Sequence, residues 1–409
     1  MPSALPLGEP PPPDGSLPAH VDDGAKERDF GLYIHVPFCA VRCGYCDFNT
    51  YTQADMPGVA IGDYHRFALK ELVWAREVLD RASLPHRPVN TVFFGGGTPS
   101  LLAPEVIADM LDAVKNTWGV SEDVEVTLEA NPDSLNLDRL HELVAGGVTR
   151  FSVGMQSAAP DVLATLDRTH DPERVPEVVG AIRDARAEVS VDVIYGSPGE
   201  TVEMWRETLD QVVSLGVDHV SAYSLIVEPG TALARRISRG ELVDIDDDVH
   251  AAMYELADDV FTAHGLHWYE VSNWSTGPAT RSRHNQSYWT SEDWWGVGPG
   301  AHSHVGGVRW WNAKHPTAWA ERLASGLNPA VGREVLDTST KQTEDVLLRI
   351  RTRDGIAVAD CPPGTQNAIA EFIARGLVDG REALSGRLVL TRSGRLVADY
   401  VARQLLAEI

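Results

Sequence analysis

Phe38-Cys39-Ala40-Val41-Arg42-Cys43-Gly44-Tyr45-Cys46 places three of the chain's four cysteines within eight residues, in the spacing C-x3-C-x2-C. The motif directly follows the apolar run Leu32–Val36, so it falls on the loop at the C-terminal end of a strand. Thiolates are the usual ligands of iron–sulfur clusters. Three of them on a four-iron cluster leave one iron open to a substrate or cofactor. Gly44 lets backbone approach such a cluster, where N–H groups offset its negative charge. Structural zinc is the alternative, and it takes four protein ligands, typically from paired C-x2-C units. The remaining cysteine, Cys361, lies far along the chain, and His35, on the strand itself, is the other candidate for a fourth position.

Outward from this loop, short apolar runs recur at Leu32–Val36, Thr91–Phe94, Val124–Ala130, Arg150–Val153, Val189–Tyr195 and His219–Ile226. Each reads as a buried strand. Helical periodicity lies between them: Ile107, Met110, Leu111 and Val114 share one face, as do Trp205, Leu209, Val212 and Val213. Six strands alternating with helices imply parallel β/α units. The fold class is α/β, and a partial (β/α)6 barrel of the TIM-like kind suits the spacing, although periodicity alone does not separate it from an open sheet. In a barrel the chemistry collects at the C-terminal strand ends.

Four regions follow. Residues 1–28, with Pro10 to Pro13 consecutive, are expected to be a disordered tail. Residues 29–245 form the barrel core. Residues 246–332 extend it with an amphipathic helix to about Ala263 and an aromatic-rich stretch from Trp268 to Trp311. Residues 333–409 read as a small α+β, winged-helix-like C-terminal domain. It has helices near 341–352 and 365–375, a strand near Arg387–Thr391, and a last helix with Val397, Val401 and Leu405 on one face.

The formal charge of −24 repels phosphate backbones, so no nucleic-acid partner is expected, and the tail domain is assigned to protein contact or structure. No segment has the ~20 apolar residues of a membrane span. The start lacks a charged, apolar secretory signal, and clustered cysteines suit a reducing compartment. A cytoplasmic location is expected. Peripheral membrane association and a homodimer are left open.

Further motifs sit at successive strand ends. Gly95-Gly96-Gly97-Thr98-Pro99 follows the second strand, with glycines to admit a ligand and Thr98-Pro99 suited to start a helix. Glu129-Ala130-Asn131-Pro132 ends the third and reads either as a carboxylate for a ligand or as a turn. Arg150-Phe-Ser-Val-Gly-Met-Gln156 spans the fourth, and Leu166-Asp-Arg168-Thr-His170 follows it. Asp192 lies on the fifth strand, where a buried acid needs a partner.

The order of these motifs resembles the radical S-adenosylmethionine (SAM) superfamily. The resemblance implies a [4Fe–4S] cluster on Cys39, Cys43 and Cys46. SAM would chelate its open iron and be cleaved by one electron to methionine and a 5′-deoxyadenosyl radical. It also implies SAM contacts from Tyr33, Gly96, Gly97, Thr98, Glu129, Gln156, Arg168 and Asp192, with Arg168 pairing with the SAM carboxylate and Asp192 meeting the ribose.

Over residues 30–400 the layout is similar to oxygen-independent coproporphyrinogen III oxidase and its relatives. The oxidase carries a further cysteine two residues past the third, where this chain has Phe48, a residue placed beside the cofactor. Cys46-Asp47-Phe48-Asn49 and His284-Asn285-Gln-Ser-Tyr288-Trp289 instead resemble the HemW family of heme chaperones. That resemblance implies heme as cargo with His284 as its ligand, a heme-accepting partner protein, and an electron donor for the cluster. The coproporphyrinogen III oxidase reaction is the alternative. From the residues alone, His284 reads first as a packed core histidine, and His267, His302 and His304 compete with it as heme ligands.

Overall fold

The computed structural model describes residues 8–52 and 61–407 of the 409. Six parallel strands run side by side in chain order: β1 (Phe30–Val36), β2 (Val89–Gly96), β3 (Val120–Ala130), β4 (Arg150–Gln156), β5 (Glu188–Tyr195) and β6 (His219–Ser224). Between them lie α1 (Ile61–Arg81), α2 (Pro104–Trp118), α3 (Leu137–Ala145), α4 (Pro160–Thr165), α5 (Arg174–Asp184) and α6 (Val202–Ser214).

The strands are two-faced because side chains alternate. One parity is apolar and fully buried: Leu32 and Ile34, Val92 and Phe94, Val126 and Leu128, Phe151 and Val153, Val191 and Val193. These share one core with Ile107, Met110, Leu111 and Val114 of α2 and Trp205, Leu209 and Val212 of α6. The other parity is largely polar. Tyr33, Phe93, Thr127, Glu129, Arg150, Ser152, Ser190, Asp192, Ser221 and Tyr223 line a single cavity. Six strands whose inward residues meet in one space must curl around it. Among the described residues β6 does not close onto β1, so of the two arrangements left open by the alternation this is the partial barrel.

Both edges are extended. After α7 (Ala232–Ser238) and α8 (Asp247–Ala263) the chain forms β7 (His267–Glu270) and β8 (Asn273–Ser275), the latter antiparallel to β6. It then makes α9 (Arg283–Trp289) and returns to the other edge. There β9 (Asp293–Val297) pairs parallel with β1, followed by β10 (His302–Val305), β11 (Val308–Asn312), α10 (Pro316–Ala324) and β12 (Ala330–Val335). The aromatic-rich stretch is thus part of the main sheet.

The remaining elements are α11 (Thr338–Arg349), β13 (Ile356–Ala357), α12 (Gln366–Ala374), α13 (Gly380–Leu384), β14 (Arg387–Leu388), α14 (Arg392–Leu396) and α15 (Ala398–Leu406). They enclose a core of their own, with Val346, Ile350, Phe372, Leu388, Val401 and Leu405 at its centre. The expected strand is shorter than its apolar run, and Val397 precedes the last helix and is 38% exposed. Arg395 ties this unit to α8 by a bidentate pair with Asp258, at 2.7 and 3.0 Å.

The expectation of a disordered tail over residues 1–28 is corrected for residues 8–28; residues 1–7 lie outside the described residues. Glu9 exchanges both backbone hydrogen bonds with Arg333 of β12, and the Asn328 side chain donates to Pro12 O. Val21 and Ala25 are buried in the main core. Arg28 reaches the buried Asp293 at 3.0 Å. Low hydrophobicity predicts disorder only for a segment without partners, and here an open sheet edge supplies them.

Candidate functional site

The cavity, of about 860 Å³, opens at the C-terminal ends of the parallel strands. Its rim is the cysteine loop. Phe38 is buried edge-on against Tyr64, and Cys39 N–H donates to Tyr51 O at 3.0 Å, which closes the loop on itself. Cys39, Cys43 and Cys46 are free thiols, partly exposed, and all line the cavity. Burial pushes Cys39 up to about 11 and also raises Cys46, so these thiols ionise when a cation is there to stabilise the thiolate. Among the described residues, no three or more His, Cys, Asp or Glu side chains converge on a single metal ion. His35 is not a fourth ligand. Its Nε2–H donates to Asn49 O at 2.9 Å, which leaves Nδ1 to accept from Tyr33 OH at 2.9 Å.

The glycine turn lies against this loop. Gly97 N–H donates to Val36 O and Thr98 N–H to Phe38 O. A Cβ on Gly97 would collide with the Phe38 carbonyl and come within 3.0 Å of Cys39 Sγ. Gly96 has φ +114°, which favours glycine, and its N–H donates to Glu129 Oε2 at 3.0 Å. The Glu129 carboxyl is raised to about 7, first by burial and then by the neighbouring Asp192.

Several polar atoms here are buried without a protein partner. Gln156 ends β4 at a break in register with a left-handed φ of +60°, and its Oε1 is unpartnered. A bulky residue in that region is strained, as functional sites often are. Arg168 Nη2 donates to Gly154 O at 2.9 Å and Nη1 lies 3.6 Å from Cys43 Sγ, while Nε is unpartnered. Asp192 accepts from Ser152 Oγ at 2.8 and 3.0 Å, and burial raises its carboxyl. Tyr33 stands on β1 between His35 and Phe93. Phe48 is 60% exposed at the rim. The sequence-predicted cluster and cofactor residues, Tyr33, Cys39, Cys43, Cys46, Phe48, Gly96, Gly97, Thr98, Glu129, Gln156, Arg168 and Asp192, all line this one cavity. A cradle tightened around glycine, three thiols, and orphaned donor and acceptor atoms suit a cluster with an amino-acid-bearing nucleoside beside it.

His284 lies at the opposite end of the same cavity, on α9. It is 1% exposed, and burial lowers its imidazole to about 3. Both nitrogens are engaged: Nδ1 with Thr91 Oγ1 and Nε2 with Tyr288 OH, each at 2.8 Å. Its ring stacks on Phe93 at 5.0 Å and Tyr33 at 6.4 Å. Glu125 accepts from the backbone N–H of Arg283 and His284 and so holds the start of α9 against β3. Thr91 and Glu125 were not singled out from the sequence, although Glu125, Thr127 and Glu129 alternate along β3. That period-two run of polar residues in a buried strand was the available signal. His267 and His302 lie at the surface, and His304 Nδ1 bonds Glu292 O at 2.8 Å.

Comparison with known proteins agrees with this geometry. Residues 33–212 match the radical SAM superfamily. The heme chaperone HemW of Mycobacterium tuberculosis is 48% identical over 380 residues, 93% of this chain and 95% of that protein. The heme chaperone HemW of Bacillus subtilis is 30% identical, covering 92% of this chain and 99% of that protein. Among solved structures, coproporphyrinogen III oxidase (HemN) from Escherichia coli superposes over 95% of this chain and 92% of its own, with a TM-score of 0.78 at 21% identity, which establishes a shared fold.

Proposed function

The chain belongs to the radical SAM superfamily, within the HemW family, and from that premise we propose that it binds heme and delivers it to an acceptor protein. The observation that carries the reading is 48% identity to a heme chaperone over 93% of this chain.

Cys39, Cys43 and Cys46 would hold three irons of a [4Fe–4S] cluster. Arg168, through its unpartnered Nε, would receive a carboxylate, a contact for which guanidinium is suited. Gly96, Gly97 and Thr98 would cradle the amino-acid end of SAM beside Glu129, with Gln156 and Asp192 taking hydroxyls. Cluster and SAM together supply one-electron chemistry, for which an electron donor protein is required. His284, neutral throughout the physiological range, would ligate heme iron. The likeness to the oxidase is one of fold, and Phe48 stands where that enzyme carries its extra cysteine. No helix among the described residues is long and apolar enough to cross a membrane. A cytoplasmic location is proposed with the HemW reading.

Anaerobically reconstituted protein titrated with heme, following the Soret band, tests the reading. Saturable binding that weakens in His284→Ala is expected. Absence of binding in the wild type refutes it and makes porphyrinogen turnover the leading question.

A further inference from the structure

Arg150 opens the motif Arg150-Phe-Ser-Val-Gly-Met-Gln156, of which the SAM reading uses Gln156 and leaves Arg150 without a role. As the first residue of β4 it lies at the floor of the cavity, away from the mouth. The sheet register sets it beside Thr127, and Thr127 beside Phe93, on which His284 stacks. Arg150 is 2% exposed, yet it lines the cavity. Its Nη1 donates to Glu188 at 2.9 Å and to Thr280 O at 3.1 Å, while Nη2 is buried without a partner. Buried donors are nearly always satisfied, so this arm of the guanidinium calls for an acceptor from outside the chain.

The neighbouring groups are already committed. His219 also lines the floor, with its nitrogens bonded to Ser190 Oγ at 2.7 Å and Tyr269 OH at 2.8 Å. Burial and the nearby Arg150 hold its imidazole well below its ordinary value, so it stays neutral. The Asp192 carboxylate, on the next strand, is bonded to Ser152. Arg168, assigned above to the SAM carboxylate, bonds Gly154 O, four residues further along β4. Four residues of strand span about 13 Å. Arg150 is held towards Glu188 and Thr280, so the two guanidinium groups serve separate places. We propose that the floor of the cavity is a second subsite, which takes an organic carboxylate on Arg150 Nη2. A guanidinium N–H to a carboxylate makes a charge-assisted hydrogen bond, the strong kind. The hydroxyl-bearing Thr127 and Ser282 line the same floor. Resting on the chaperone reading, the carboxylate is a side arm of the heme; a small free organic acid carries the same group.

Cluster-loaded full-length protein titrated in parallel with heme, with heme dimethyl ester and with succinate tests this. The wild type should bind heme about tenfold or more tightly than the ester, which lacks the charged arms. In Arg150→Gln that ratio should fall about tenfold, with SAM affinity kept because Arg168 is untouched. Arg150→Lys should restore part of the ratio. A ratio unmoved in Arg150→Gln, with succinate bound calorimetrically by the wild type and not by the variant, supports the subsite with a free acid as its ligand. Should Arg150→Gln not fold, the wild type decides: heme and ester bound alike, with no heat from succinate, overturns the proposal. Heme and succinate binding both indifferent to Arg150 overturn it too, and leave the chaperone reading standing. SAM affinity lost together with the heme preference overturns the separateness of the two sites. Wild-type protein that binds no heme refutes the chaperone reading, and the succinate titration then decides the subsite by itself.

Discussion

Asn49→Ala should loosen the cysteine loop without touching a cysteine. The Asn49 side chain is buried behind the loop, where Nδ2 donates to Pro299 O at 3.0 Å and Lys314 O at 2.9 Å, and Oδ1 accepts from Tyr51 OH at 3.1 Å. Three hydrogen bonds, one buried and two partly buried, at about 1 kcal/mol each would suggest a loss of about 3 kcal/mol. Tyr51 OH, however, also reaches Lys314 O at 3.3 Å and keeps that partner. The net cost is then about 2 kcal/mol, or about a thirtyfold gain in the population of the opened loop. The backbone carbonyl of Asn49 still accepts from His35, so β1 is undisturbed. The assay is the rate at which reconstituted protein loses iron to a chelator, beside urea unfolding of the apoprotein. Iron loss about thirty times faster is expected. Iron release at the wild-type rate, with an unfolding midpoint unmoved, would refute the reasoning and make Asn49 a bystander.

Gly97→Ala should cost about 1–3 kcal/mol and lower iron per chain, because the added Cβ meets the Phe38 carbonyl and Cys39 Sγ; full iron content at unchanged stability would show that the loop yields freely. Asp192→Ala should weaken SAM binding at least tenfold while the cluster chromophore stays, measured by equilibrium dialysis, and equal affinity would remove Asp192 from the nucleoside site. Glu71 accepts from Gly298 N, Asn312 Nδ2 and Trp319 Nε1, yet burial raises its carboxyl from 4.5 to about 7. Between those values the folded chain holds a proton that the unfolded chain has released. Stability should therefore fall as pH rises across that window, by about 1.4 kcal/mol per unit. Urea midpoints for wild type and Glu71→Gln check this, and parallel pH profiles would contradict it.

The barrel was legible because each buried strand announces itself by its own residues. Leu32–Val36 and Val189–Tyr195 are apolar enough to stand alone, and helical periodicity between them forces parallel pairing. That Cys39 to Cys46, Gly96 to Thr98 and Asp192 share one cavity was legible for a similar reason, since they are local patterns at successive strand ends. What escaped the reading was non-local. Nothing in Glu9 or Val21 shows that a sheet edge near Arg333 awaits them, so composition alone made that segment a tail. The stretch Asp293–Val297 does not reveal that its neighbour is β1. His284 could be named from its segment, but its engagement by Thr91, nearly two hundred residues earlier in the chain, could not. Burial and hydrogen-bond partners arise from closure of the fold, and closure is where single-sequence reading stops.

The pairing of β9 with β1 has a consequence for synthesis. β1 and the cysteine loop leave the ribosome well before the strand that covers β1, and the carbonyls of Pro299 and Lys314 that fasten Asn49 follow some 250 residues later. At roughly 5–20 residues per second, that interval is on the order of 10–50 s. Throughout it, β1 is an unsatisfied edge and the three thiols sit on an unanchored loop, open to oxidation and to adventitious metals. The nascent cysteines therefore need a reducing surrounding until the last strands arrive.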